Sequence, residues 1–398
     1  MKIGISCIKY GLGRYGGIQV YLRNLLRALA AHNSDGNQYV LLLLPGQEIP
    51  PEAGQPAFSS FVLNPPPELI LPLRMVKRLA SPFRLAGALP PRASERLSQQ
   101  IADLRLDLIH FPGTTIDPGC PVPDGLAVVL TFHDMQHEFF PGYFSKKELK
   151  RRSISYRSSA GRASLIMADS AFTAHSLKKI YGIPDRRIRI VPLGVSPSFT
   201  TGLDSAHLES VRNRYALPEH FIFYPANPWP HKNFSCLFQA LNLLRETQIR
   251  CWALVTTGRL ARQKIPVSAL AAENGFPDHL LFDLRFVEEA DMPALYAMAT
   301  MMVFPSLFEG FGLPLLEAMA CGCPVICSDK TSLPEIGGDA VHYIDAHDPH
   351  SIAAAISALS DHPEKREQLR QRGLKRAADF SWERVMRDVF AAYREAGS

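Results

Sequence analysis

A chain of 398 residues exceeds what one hydrophobic core serves, because single cores stop growing at roughly 250–300 residues, so two domains are expected. Hydrophobic residues make up 46% and charged residues 20% of the sequence, which excludes a disordered, collagen-like or disulfide-stapled chain. The net charge of +5 conceals an asymmetry: residues 1–200 carry 24 Lys and Arg against 14 Asp and Glu, and the remainder 19 against 24.

The opening MKIGISCIKYGLG breaks at Lys9 and Gly11 without the apolar block and cleavage site of a signal peptide, and reads as a first strand. No window approaches the roughly 18–20 unbroken apolar residues of a membrane-spanning helix, so a cytoplasmic chain is expected. The strings KIGISCI, YVLLLL, LDLIHF, AVVLTF, ASLIMAD and IRIVPL read as strands. Between them, IQVYLRNLLRALAAH places Val20, Leu22, Leu25, Leu26 and Leu29 at helical spacing, and RRSISYRSSAGRA and AFTAHSLKKIYG are also helical. The pattern restarts after Gly194 with FIFYPA, CWALVTTG, LLFDLRFV, MMVFPS, CPVICSD and AVHYID. Strands alternating with helices predict an α/β chain of two doubly wound parallel sheets, residues 1–195 and 196–382. Seven scattered cysteines without a CxxC pattern read as reduced and buried.

In open parallel sheets ligands bind at the carboxyl ends of strands, so the loops there are where chemistry is expected. The first, Gly11-Leu12-Gly13-Arg14-Tyr15-Gly16-Gly17, is a literal GxGxxG. A nicotinamide site also needs an acid at the end of the second strand, which here reads Leu44-Pro45-Gly46-Gln47. What remains is a glycine loop able to approach a phosphate or sugar at a helix start. AVVLTF ends in His133-Asp134, where a histidine beside an acid can donate a hydrogen bond to a substrate hydroxyl or act as acid or base, although most such histidines are structural. After FIFYPA, Lys232 at a helix mouth suits a phosphate, although a plain surface lysine fits this segment equally well.

The most informative stretch is Phe304 to Ala320. Glu309 lies in a loop between strand and helix, Pro314 sits in the helix's first turn, and Glu317 follows eight positions on. Two such glutamates can reach two parts of one extended ligand, with Phe311 to Leu313 supplying backbone N–H groups.

At this stretch the sequence resembles the retaining glycosyltransferases of family 4, whose signature of two glutamates separated by seven residues and then Ala-x-Ala-x-Gly-x-Pro-Val reads here Glu309 to Glu317 and Ala318 to Val325. The resemblance extends over Gly16-Gly17, His133-Asp134, Ala168-Asp169-Ser170, Val191 to Gly194, His231-Lys232-Asn233, Leu333-Pro334-Glu335 and Phe380-Ser381-Trp382. It implies the GT-B fold, two Rossmann-like domains facing across a cleft. The amino-terminal one would bind acceptor, and a final helix, 383–398, would cross back onto it. It further implies that Glu309 contacts the donor's sugar hydroxyls and Glu317 its ribose. Gly310, Phe311, Gly312 and Leu313 would hold sugar or diphosphate, Lys232 would neutralise the diphosphate, His133 would touch the transferred sugar, and Val287 would meet the nucleobase. Gly16, Gly17 and Gly258 complete the implied donor site. Many relatives carry an arginine a few residues before the lysine; here that region reads Ala226-Asn227-Pro228, and Asn227 or Arg259 is the expected substitute.

A lysine with helix-terminus amides can neutralise a leaving diphosphate without a metal, and the chain has no Asp-x-Asp motif; no cofactor or metal is expected. The segments GGIQVYLRNLLRAL and HDMQHEFFPGYFS resemble bacterial enzymes that add mannose to O-antigen or related surface polysaccharides, which makes GDP-mannose the first expectation for donor, with UDP-hexose open. Two basic clusters, Arg74, Lys77, Arg78 and Arg84, and Lys146, Lys147, Lys150, Arg151, Arg152, Arg157 and Arg162, each read alone as a solvated helix face. Together they fit a lipid-diphosphate-linked acceptor at the cytoplasmic face of an inner membrane; nucleic acid is not expected. A nucleotide-sugar epimerase on the same scaffold, or a noncatalytic sugar binder, is the competing reading, and the intact Glu309, Glu317, Lys232 and His133 argue against both.

Overall fold

The computed structural model describes residues 1–8, 10–11, 17–33, 35–65, 90–247, 251–258 and 265–398. The chain divides into two compact units, Met1–Pro192 with Glu383–Ser398, and Leu193–Trp382. The first cluster of basic residues, Arg74 to Arg84, lies outside the described residues, as do the site residues Gly16 and Arg259.

The first unit is built on a seven-stranded parallel sheet in the order β3-β2-β1-β4-β5-β6-β7. Its strands are β1 (Lys2–Ser6), β2 (Gln38–Leu43), β3 (Phe58–Val62), β4 (Leu108–Phe111), β5 (Ala127–Phe132), β6 (Leu165–Ala168) and β7 (Ile188–Ile190). The central strands are buried along almost every residue, which is why they read as unbroken apolar runs rather than alternating ones. Among the strands of this sheet, the edge strand β3 is the one that the sequence reading omitted. Its FSSFV buries one residue fully and leaves the serines in solvent, so no apolar run marks it.

Helices α1 (Gly17–Ala31), α2 (Pro91–Asp103), α3 (Gln136–Phe139), α4 (Lys146–Arg162) and α5 (Ala171–Tyr181) connect these strands. α1 buries Leu22, Leu25, Leu26 and Leu29 on one face, as its periodicity predicts, but Tyr21 is buried there instead of the expected Val20, which is only half-buried. Ser170 caps α5 by accepting the Thr173 amide at 3.1 Å, and Gly182, in the left-handed region at φ 68°, ends it.

The second unit carries a six-stranded parallel sheet, β10-β9-β8-β11-β12-β13. Its strands are β8 (Phe221–Pro225), β9 (Ala253–Thr257), β10 (Leu281–Asp283), β11 (Met301–Phe304), β12 (Val325–Ser328) and β13 (His342–Ile344). β10 is shorter than the predicted LLFDLRFV because Arg285 turns the chain at φ 52°, leaving Val287 buried in the loop beyond. Its helices are α6 (Ser205–Arg214), α7 (Phe234–Glu246), α8 (Val267–Glu273), α9 (Met292–Met298), α10 (Leu313–Ala320), α11 (Leu333–Gly337), α12 (Pro349–Ser360) and α13 (Pro363–Ala377).

A last helix, α14 (Trp382–Ala396), returns to the first unit, where Tyr393 is buried and Arg394 pairs with Asp35 at 2.5 Å. Among the described residues no helix is long and apolar enough to cross a membrane. Six cysteines are buried, whereas Cys251, two residues before β9, is exposed, against the expectation that all are buried.

Candidate active site

Both sheets reverse strand order beside their first strand, between β1 and β4 and between β8 and β11, and the crevice at such a switch point is where open α/β sheets take ligands. In the second unit the loops leaving β8 and β11 carry Lys232 and Glu309. The two side chains meet there, Lys232 Nζ donating to Glu309 Oε1 at 2.5 Å, with only 16% and 13% of their surfaces exposed. The ammonium also lies 5.3 Å from the centre of the Phe304 ring. Two residues 77 positions apart, read separately as donor ligands, thus form one ion pair.

The loops are locked to one another. Asn233 adopts a left-handed backbone (φ 59°, ψ 39°), and its amide donates to the carbonyls of Pro305 at 3.2 Å and Ala346 at 2.6 Å. The Leu307 amide donates to the His231 carbonyl at 2.7 Å, and the Ser332 hydroxyl to those of Glu309 and Phe311 at 3.0 and 2.8 Å. Thr331 accepts the Glu309 amide at 3.0 Å. Burial and the neighbouring Lys232 charge lower His231 to about 2, so it is neutral and structural. Gly312 caps α10 at φ 110°, and a Cβ there would lie 2.8 Å from Leu333. Pro314 follows in the first turn, where its missing N–H costs nothing, and the Leu315 amide donates to the Gly312 carbonyl at 2.9 Å.

Glu317 projects from α10, where its Oε2 accepts the Tyr296 hydroxyl at 2.7 Å. Burial raises its carboxyl to about 7, opposed by that hydrogen bond. Gly258, after β9, lets the backbone pass the Ala226 carbonyl so closely that a Cβ would sit 2.7 Å from its oxygen. This close pass sets Gly258 against Asn227, the expected stand-in for the missing arginine. Gly310 and Leu313 lie in the same loop and helix start as Phe311, whose ring is buried against Phe380.

In the first unit His133 directly follows β5, in the loop at its carboxyl end, but its acid partner is not the adjacent Asp134. Asp134 accepts the Gln136 amide at 3.2 Å, whereas His133 Nδ1 pairs with Asp169 Oδ2 at 3.2 Å across the end of β6. The reason is pleat geometry: side chains of neighbouring residues diverge, whereas adjacent parallel strands put Phe132 level with Ala168 and their loop residues side by side. Burial raises Asp169 to about 7, opposed by His133. Gly17 opens α1, whose Tyr21 ring stands edge-on to His133 at 5.0 Å. His110, Thr131, Tyr21 and Tyr393 form a buried hydrogen-bonded chain beside it, and sequence reasoning marked none of them. Among the described residues no group of three or more His, Cys, Asp or Glu is placed to hold a metal.

Comparison with known proteins agrees over both units. Glycosyltransferase Family 4 matches residues 15–199, and Glycosyl transferases group 1 matches residues 209–376. The O-antigen chain mannosyltransferase B of Escherichia coli is 34% identical over 267 residues, which cover 67% of this chain and 70% of that protein. The serotype-specific mannosyltransferase WbdA of Escherichia coli is 32% identical over 224 residues, 56% of this chain but only 27% of that longer relative. Sucrose-phosphate synthase of Thermosynechococcus elongatus superposes with a TM-score of 0.73 at 19% identity, over 99% of this chain and 98% of its own. With both sheets in GT-B order and a close relative matched over two thirds of its length, the chain belongs to glycosyltransferase family 4 and is a glycosyltransferase.

Proposed function

We propose that this glycosyltransferase moves a hexosyl unit, mannose from GDP-mannose, onto a saccharide or lipid-diphosphate-linked saccharide during bacterial surface-polysaccharide synthesis, with retention of anomeric configuration. The observation that carries it is the meeting of Lys232 and Glu309 at the switch point of the second sheet, beside the start of α10. The mannosyl assignment draws on the likeness to the Escherichia coli O-antigen enzyme.

In this reading the donor diphosphate takes the Lys232 ammonium and the backbone amides of Phe311, Gly312 and Leu313 at the start of α10, and Glu309, released from Lys232, accepts hydrogen bonds from sugar hydroxyls. The bond from the anomeric carbon to the diphosphate breaks, the acceptor oxygen bonds to the same face, and its proton passes to the departing diphosphate. No side-chain base is needed, and no metal is invoked. Glu317 holds the ribose, Val287 the nucleobase, and His133 the transferred sugar. The first unit binds acceptor, and its basic surface brings the enzyme to an anionic membrane.

The test is thermal unfolding against GDP, UDP, ADP and dTDP and their sugar conjugates in the presence of EDTA. A ligand that binds only the folded state stabilises it by about 2.7 kcal/mol at a hundredfold excess over Kd. A shift selective for GDP-mannose and lost in Glu317→Ala is expected. A shift selective for a UDP-hexose would overturn the mannosyl assignment, and an epimerised nucleotide sugar formed without acceptor would overturn transfer.

A further inference from the structure

His133 is a buried histidine with one ring nitrogen committed and the other idle. Nδ1 pairs with Asp169 Oδ2 at 3.2 Å, while Nε2 has no hydrogen-bond partner among the described residues and is shielded from water. An unmade buried hydrogen bond costs about 1–3 kcal/mol, so such an atom calls for an explanation, and a ligand group is one.

The ring is held from several sides. The His133 amide donates to Thr114 Oγ1 at 3.3 Å, and the Tyr21 ring meets the imidazole edge-on, centroids 5.0 Å apart. Tyr21 itself belongs to a buried chain that runs from the last helix. Tyr393 Oη lies 2.8 Å from His110 Nδ1, His110 Nε2 lies 2.8 Å from Thr131 Oγ1, and Thr131 Oγ1 lies 3.1 Å from Tyr21 Oη. Burial lowers His110 to about 3, so its imidazole is neutral, donating through one nitrogen and accepting through the other. The chain therefore has a direction, and it ties α14, β4, β5 and α1 to the face of His133.

We propose that Asp169 and the Tyr393–His110–Thr131–Tyr21 chain are positioning residues that hold His133 as the Nδ1–H tautomer, with Nε2 presented to accept a hydrogen bond from a hydroxyl of the transferred sugar. The proposal rests on the reading that His133 meets that sugar. Asp169 sets which nitrogen carries the proton; Tyr21 sets where the ring stands. Because Nε2 is shielded from water in this structure, a hydroxyl reaches it only when the groups covering it move aside, and the bond then forms in a low-dielectric site, where it is stronger than in solution.

The experiment combines 15N spectra of the histidine rings at pH 8, with the His133 signals assigned by His133→Gln, and steady-state kinetics. The wild-type enzyme is expected to give the Nδ1–H tautomer. In Asp169→Asn, which keeps the shape of the side chain, the amide can donate to Nδ1. The proton is then expected on Nε2, kcat to fall at least 30-fold, and donor KM to stay within threefold. Tyr393→Phe is expected to keep the tautomer, because Asp169 is intact, and to lower kcat about fivefold through the looser ring. An unchanged tautomer or unchanged kcat in Asp169→Asn overturns the role of Asp169, and unchanged kcat in Tyr393→Phe overturns the role of the chain. If His133→Gln itself keeps wild-type kcat, the contact between His133 and sugar fails instead, whatever the spectra show.

Discussion

Glu317 carries a conflict between stability and binding. Its folded carboxyl titrates near 7, against 4.5 for the free group, because burial disfavours the anion more than the Tyr296 hydroxyl favours it. The stability it contributes is therefore full below about pH 4.5 and is lost as pH rises through 7, a change on the order of 1–3 kcal/mol. Glu317→Gln keeps the acceptor for Tyr296 and removes the charge, so at pH 8 it is expected to melt higher than wild type and to lose most donor binding; Tm measured from pH 4.5 to 8 checks the first, and nucleotide titration the second. Lys232 presents the complementary case. While Glu309 occupies the ammonium, a diphosphate must displace it. Glu309→Gln is accordingly expected to bind GDP several-fold more tightly than wild type by calorimetry, while transfer falls at least 100-fold.

At the scale of elements, the second unit's site depends on a loop made rigid before any ligand arrives. Asn233 joins the β8 loop to the carbonyls of Pro305 and Ala346, and does so from a left-handed backbone that costs most side chains about 1–2 kcal/mol. Two substitutions separate these contributions. Asn233→Gly loses the hydrogen bonds but relaxes the backbone, and is expected to cost about 1–3 kcal/mol. Asn233→Ala adds the backbone strain and is expected to be less stable than the glycine variant by a further kilocalorie or so. Urea unfolding of the pair measures both. An alanine variant as stable as the glycine one would mean that the loop relaxes out of its left-handed turn.

Across the whole molecule, charge is divided between the halves of the chain, and the structure sorts the second basic cluster by direction. On α4, Arg151 and Arg152 turn to Glu148 at 2.6 and 2.9 Å, and Arg157 lies over the Tyr181 ring at 4.5 Å. Lys146, Lys147 and Lys150 are left exposed, as are Ile154 at 61% on the same helix and Phe139 and Tyr143 just before it. Cations interspersed with apolar groups suit an anionic lipid surface. Binding to vesicles containing phosphatidylglycerol is expected to fall by at least tenfold when Lys146, Lys147 and Lys150 are all changed to Glu, and to weaken as salt is raised. Equal binding to neutral vesicles, or no effect of the substitutions, would remove this surface from the membrane proposal.

The sequence by itself determined the α/β class and most of the strands, because a strand buried on both faces has to be apolar throughout and glycine and proline mark where it stops. It also determined the family, because the spacing from Glu309 to Glu317 across a loop and a helix start is local and survives as a string. Edge strand β3 escaped for the opposite reason: half in solvent, FSSFV carries no continuous apolar signal. Tertiary structure alone decided partners. Lys232 finds Glu309 because β8 and β11 are neighbours in the sheet, and His133 takes Asp169 rather than Asp134 because adjacent strands bring their ends level while adjacent residues point apart. The pairing of His110 with Tyr393 spans 283 positions of chain and exists only because the last helix packs onto the first sheet. Chemistry-bearing residue types can be read along the chain; which of them touch is fixed by strand order and packing, which no local string records.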